Sequence, residues 1–259
     1  MEIISITNQK GGVGKSTTAA AIGAGLKRCG KKVLLLDFDA QGNLTSALPV
    51  NNALGVASMY DVITKRIGIR DAIQETPFGD IVPYSPRLAT LDLEFASLPA
   101  GREYQLKEVI AQGNLDYDYI LIDTPPALGT ITTNALTASD SIIIPAQADK
   151  FSLDGIIQLY QTVAAIRQYS NKNLRVRGIV ITRYSNRAVI SRNVATKLAE
   201  LATAIGTKVY ATNIRECSAL KESQTVKKSI FVHDRKSNGA IDYRNLVQEI
   251  IREDTDNGR

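Results

Sequence analysis

Tryptophan is absent from this chain of 259 residues, histidine occurs once, at His233, and cysteine twice, at Cys29 and Cys217. A single histidine excludes a histidine-based triad or a His-rich metal centre within one chain, so His233 is expected to be structural. The two cysteines lie far apart and form no CxxC pair, and neither a zinc site nor a disulfide framework is indicated. No run of about 18 apolar residues occurs, which excludes a membrane-spanning helix, and the N-terminus enters a strand pattern with no charged-then-apolar signal segment. A cytoplasmic protein is expected.

What is present suffices for a large core. Hydrophobic residues make up 44% of the chain, and an α/β chain of this length commonly stands as one domain. Strand-length apolar runs at residues 2–7, 32–37, 80–84, 119–123, 141–145, 177–182 and 208–212 alternate with helical patterns at 16–29, 151–169 and 188–205. Runs such as Val33-Leu34-Leu35-Leu36 lack polar alternation, as strands buried on both faces should. The expected class is α/β, a single doubly wound, mostly parallel sheet with helices on both faces. Residues 1–252 are read as one domain and 253–259 as a polar, frayed tail.

The net charge of +5 conceals an asymmetry. Residues 167–252 carry 17 Lys+Arg against 6 Asp+Glu, whereas residues 1–166 carry 13 against 17. Such a basic back third attracts polyanions with little regard to sequence, and nucleic acid is the expected partner.

After the first strand comes Asn8-Gln9-Lys10-Gly11-Gly12-Val13-Gly14-Lys15-Ser16-Thr17. The glycines let the backbone turn N–H groups inward, and the helix that follows adds the positive end of its dipole, which makes a phosphate cradle. Lys15 would reach the outer phosphates of a nucleoside triphosphate, and the Ser16 hydroxyl would complete a magnesium ion that keeps most of its water. The template GxxxxGK[ST] is nearly met, with Gln9 in the place of its first glycine. The strand Tyr119-Ile120-Leu121-Ile122-Asp123 ends in a carboxylate suited to accept from a magnesium-bound water, and Thr124-Pro125-Pro126 fixes its exit.

The form KGGVGKS, with Lys10 early in the loop, resembles the ParA group of the ParA/MinD-type P-loop ATPases. The resemblance covers nearly the whole chain and implies ATP hydrolysis with Mg2+. It implies a homodimer sandwiching ATP, in which Lys10 touches the phosphates of the other subunit. By the same match Asp37-Phe38-Asp39-Ala40-Gln41-Gly42-Asn43 resembles the family's DxDPQGN segment, with Ala40 for the proline. Asp39 would orient the attacking water, and Asp37 would lie deeper, near the magnesium shell.

Arg187 and Arg215 stand where the family carries arginines at its DNA-facing loops, with Lys221, Lys227 and Lys228 extending the patch. Double-stranded DNA held without sequence preference, association with the nucleoid, and a ParB-type adaptor that stimulates hydrolysis follow from the resemblance. Two alternatives are a MinD-like positioning ATPase and a metabolic P-loop enzyme. A helix over 241–251 followed by an acidic stretch argues against the membrane helix that the first requires.

Overall fold

The computed structural model describes residues 1–53, 55–98, 100–185, 189–256 and 258, with only the backbone of Lys150, Phe151, Val189 and Ile190. Six strands form one all-parallel sheet: β1 (Glu2–Ile6), β2 (Val33–Asp37), β3 (Asp80–Val82), β4 (Tyr119–Asp123), β5 (Ser141–Gln147) and β6 (Arg175–Thr182). Their spatial order is β3-β2-β4-β1-β5-β6. The strands VLLLD and YILID are buried along their whole length, as a sheet covered on both faces demands.

The helices are α1 (Lys15–Arg28), α2 (Asn43–Ala47), α3 (Met59–Ile63), α4 (Leu91–Ala96), α5 (Gln105–Gln112), α6 (Thr130–Ala138), α7 (Lys150–Tyr169), α8 (Val189–Ala204), α9 (Ser218–Thr225), α10 (Ile230–His233) and α11 (Asn238–Asp256). Alternate strand residues serve opposite faces. Ile4, Leu35 and Leu121 pack with α1 and with Tyr243, Leu246 and Ile250 of α11, whereas Leu34, Leu36, Ile120 and Ile122 pack with the side chains of α3 to α6. A third cluster joins Ile142, Ile144, Ile179 and Ile181 to α7 and α8. The glycine stop expected for α1 is present, with Gly30 at φ 81° and Lys31 N–H donating back to the Leu26 carbonyl at 3.1 Å.

Three expectations require correction. The strand predicted over 208–212 is reduced to one bridge, Ile179 with Val209, because the Glu249 carboxylate takes the backbone N–H groups of Ala211 and Thr212, both at 2.9 Å. The strand predicted to reach Tyr84 stops at Val82, since Tyr84 N–H turns to the Thr45 hydroxyl at 3.0 Å. The tail predicted to fray from residue 253 continues α11 to Asp256. There the Arg177 guanidinium donates to Glu2 at 3.0 Å, Glu253 at 2.9 Å and Asp254 at 2.8 Å, and Tyr119 donates its hydroxyl proton to Asp254 at 2.6 Å. This ion cluster lies at the edge of the sheet where the strands begin, and it clamps α11 to β1 and β6.

Candidate nucleotide site

The strand order places β4 between β2 and β1, and the registers Asp37↔Asp123 and Ile6↔Asp123 align their C-terminal ends. Two carboxylates therefore sit side by side beneath the point where the chain leaves β1 and turns into α1, at the edge where open α/β sheets bind ligands. The turn uses Gly12 at φ 74° and Gly14 at φ 89°, conformations costly for any residue with a Cβ. Gln147 Nε2 donates to the Gly12 carbonyl at 2.8 Å, and the Thr182 hydroxyl donates to the Val13 carbonyl at 2.8 Å. In a trans peptide the N–H opposes the C=O, so the N–H groups of Val13 and Gly14 face the other way. Asn8 completes the support: it accepts from Lys10 N–H at 3.0 Å and donates to the Pro145 carbonyl at 2.7 Å.

A cleft of about 480 Å3 opens over this loop, lined by Gly11, Gly12, Gly14, Lys15, Ser16, Thr17, Asp39, Gln41, Asn43 and Pro126 among others. A second cavity of about 200 Å3 adjoins it through Gly12, Gly14, Thr17 and Gln224, and runs on to Thr182, Arg183 and the segment from Ile214 to Cys217. Phosphates over the loop would leave a nucleoside directed into this second space.

Burial, and after it the adjacent Asp37 charge, push Asp123 well above the usual carboxylate range; the Ser16 hydroxyl and the Lys15 ammonium oppose this. Among the described residues neither Asp123 oxygen has a hydrogen bond of normal geometry, although both are buried. A buried carboxylate left in that state is costly unless a cation or water completes it. Burial pushes Asp37 up to about 7, against the hydrogen bonds that Thr45 donates from its N–H at 2.7 Å and its hydroxyl at 2.6 Å. Burial also lowers the Lys15 ammonium, partly offset by Asp123 and Asp39, and Lys15 donates to the Lys10 carbonyl at 3.1 Å. Asp39 faces the cleft, and its side chain accepts from Gln41 N–H at 3.0 Å while its carbonyl accepts from Gly42 N–H at 2.9 Å. Those two bonds close the turn around Ala40.

Residues 1–176 match the profile of a family described as an AAA domain. The sporulation initiation inhibitor protein Soj of Bacillus subtilis is 38% identical over 251 residues, covering 96% of this chain and 98% of Soj. The chromosome partitioning protein ParA of Caulobacter vibrioides is 34% identical over 260 residues, covering 99% of this chain and 96% of ParA. The chain belongs to the ParA/Soj family of ATPases. Among solved structures, a cobyrinic acid a,c-diamide synthase from Mycobacterium smegmatis with bound ATP analogue and magnesium superposes with TM-score 0.87 at 33% identity, covering 100% of this chain and 97% of that one. A plasmid partition protein from Borrelia burgdorferi bound to AMPPNP gives 0.79 at 25%, covering 97% and 99%.

The fold gathers most of the residues expected to meet the nucleotide. Gly11, Gly12, Gly14, Lys15, Ser16, Thr17 and Asp39 share the cleft wall, Val13 is buried behind it, and Asp37 and Asp123 lie beneath. Lys10 is partly buried and ion-paired with Asp149. The described residues expected to meet DNA lie on the second cavity and on or just after α9. Arg187 lies outside the described residues. Arg215 lines the second cavity, where its N–H and guanidinium grip Asp242, with Nε at 2.9 Å from Oδ2. Lys221 borders the same cavity, and Lys227 and Lys228 are exposed beyond α9.

Sequence reading missed Asp149, Gln147, Thr182 and Gln224. Each reaches the loop from more than a hundred residues away, and none belongs to a local motif.

Proposed function

We propose that this chain is a partition ATPase that binds ATP in the cleft, closes as a homodimer around two nucleotides, and in that state holds double-stranded DNA without sequence preference. A ParB-type adaptor would stimulate hydrolysis and release it, with the nucleoid as its place of residence and a plasmid or chromosome as its cargo. The observation that carries this reading is a two-lysine phosphate loop lying over a buried carboxylate, Asp123, that has no hydrogen bond of normal geometry among the described residues.

The residues fit a magnesium ion. Among the described residues no three His, Cys, Asp or Glu side chains are grouped to hold a metal, which suits an ion that takes its oxygens from one hydroxyl, phosphates and water. Ser16 would hold it directly and Asp123 through a coordinated water, with Asp37 alongside. When bound, it neutralises charge on the β- and γ-phosphates. The chain does the rest: the N–H groups of the loop and Lys15 fix the phosphates, Asp39 orients water for in-line attack, and the partner's copy of Lys10 completes the charge balance. Among the described residues no arginine lines the phosphate cleft, so basal turnover would be slow and a stimulating partner has a purpose.

The excess of basic residues over 167–252, with Lys221, Lys227 and Lys228 exposed, supports DNA as the polyanion. A MinD-like membrane role is disfavoured because the apolar face of α11 is already spent on the core through Tyr243, Leu246, Val247 and Ile250. The solved cobyrinic acid a,c-diamide synthase at 33% identity favours a second reading, a metabolic P-loop enzyme on the same scaffold. Gel shift on random-sequence duplex at low salt, with ATP, ADP or no nucleotide, separates the two. Retention in ATP alone is expected, and its absence at about 50 mM salt overturns the DNA reading.

A further inference from the structure

Gln224 occupies the partition between the two cavities: it lines both the phosphate cleft and the adjoining space, and it projects from α9. Its Nε2 donates to the Thr17 hydroxyl at 2.8 Å. Thr17 belongs to the first turn of α1, directly after Lys15 and Ser16, and lines both cavities as well. One side-chain hydrogen bond thus joins the phosphate loop to a helix more than two hundred residues further along the chain.

The geometry points to Gln224 as the positioning residue through which the occupied phosphate loop sets the placement of α9 and of the basic segment that follows it. This assignment deepens the DNA-binding reading above and rests on it for its consequence. A hydroxyl has one proton to donate and lone pairs to accept with. Because Thr17 accepts from Gln224, its own proton is free for a phosphate oxygen in the cleft. A negatively charged acceptor polarises the hydroxyl and strengthens the bond that the hydroxyl receives, so the chain phosphate–Thr17–Gln224 tightens as a unit.

The helix is built to pass that change on. α9 is only eight residues long, Ser218–Thr225. Near its start Lys221 borders the second cavity, and after its end Lys227 sits at φ 51°, while Lys228 N–H closes the turn onto the Ser223 carbonyl at 2.9 Å. Val226, Lys227 and Lys228 are exposed. A short helix with its inner side on the two cavities and its outflow on a basic surface moves that surface when it moves.

The test compares wild type with Gln224→Ala and Gln224→Met. Methionine keeps the length and the apolar stem and lacks the N–H. Amide hydrogen exchange over residues 218–228 is measured with the non-hydrolysable analogue AMPPNP, with ADP and without nucleotide, beside nucleotide affinity and retention of a random-sequence duplex. In wild type, nucleotide protects 218–228, and AMPPNP more than ADP. Both variants lose that protection, lose AMPPNP affinity by a larger factor than ADP affinity, and show an AMPPNP-to-ADP ratio of DNA affinity at least tenfold smaller than wild type. Wild-type protection in both variants overturns the assignment, as does its rescue by methionine, which would leave Gln224 a packing role alone. Absence of nucleotide protection in wild type overturns it too. If protection is present in wild type and lost in both variants while no form binds DNA, the positioning role stands and the DNA reading falls.

Discussion

Lys10 and Asp149 form an ion pair within one chain, at the N-terminus of α7. The lysine proposed to meet another subunit's phosphates is thus held by its own subunit, and on that proposal dimer formation would break the pair. Half-exposed pairs contribute about 0.2–1 kcal/mol. Asp149→Asn keeps the acceptor that caps α7 through Ser152 N–H, 3.2 Å away, and removes the charge. Half-maximal ATP-dependent dimerisation, followed by light scattering, is expected at roughly two- to fivefold lower ATP. An unchanged midpoint means that the pair does not restrain Lys10.

Lys10→Ala removes the opposite partner. ATP affinity of the monomer should change by no more than about threefold, because Lys15 and the backbone N–H groups remain, whereas ATP-dependent dimers disappear. Equilibrium titration with a fluorescent ATP analogue and sedimentation of the same sample check both halves, and dimers of normal abundance would contradict the role.

Asp39→Ala takes away the only side-chain carboxylate among the described residues of the cleft wall. Hydrolysis should fall by about 10²-fold or more while ATP still binds, leaving the protein trapped as an ATP dimer on DNA. Phosphate release in single-turnover assays measures this, and wild-type release would remove Asp39 from the reaction.

The raised pKa of Asp37, about 7 in the folded chain, links stability to pH. The folded state binds this proton more tightly than the unfolded chain, so the contribution is fully present below about pH 4 and is lost as pH rises through about 7. In the absence of nucleotide and magnesium, urea midpoints should fall across that window. Asp37→Asn should flatten the fall by on the order of 4 kcal/mol, and an equally steep profile in the variant would show that Asp37 is not its source.

At the far edge of the sheet, Arg177→Ala leaves Glu2 and Asp254, both buried, without their shared cation. Loss of one partner from a buried ion cluster costs about 3–5 kcal/mol. Urea denaturation should register this while ATP affinity, measured well below the new midpoint, stays within about twofold, since the cluster lies opposite the cleft.

The loop Lys10–Thr17, the carboxylate-ended strands and the parallel sheet are legible in sequence because each is local. Glycines that must take positive φ, apolar runs without alternation and a carboxylate at a strand end are short-range necessities, and they determine the fold class and the nucleotide chemistry. What only tertiary structure decided depends on which distant segments meet. Glu249 diverts the backbone that sequence assigned to a seventh strand, and Arg177 turns an acidic tail into the clamped end of α11. Asp242 holds the arginine assigned to DNA, and Gln224 reaches Thr17. The physical reason is the same in each case: a side chain's hydrogen-bond partner is set by proximity in three dimensions, which residue order along the chain does not encode.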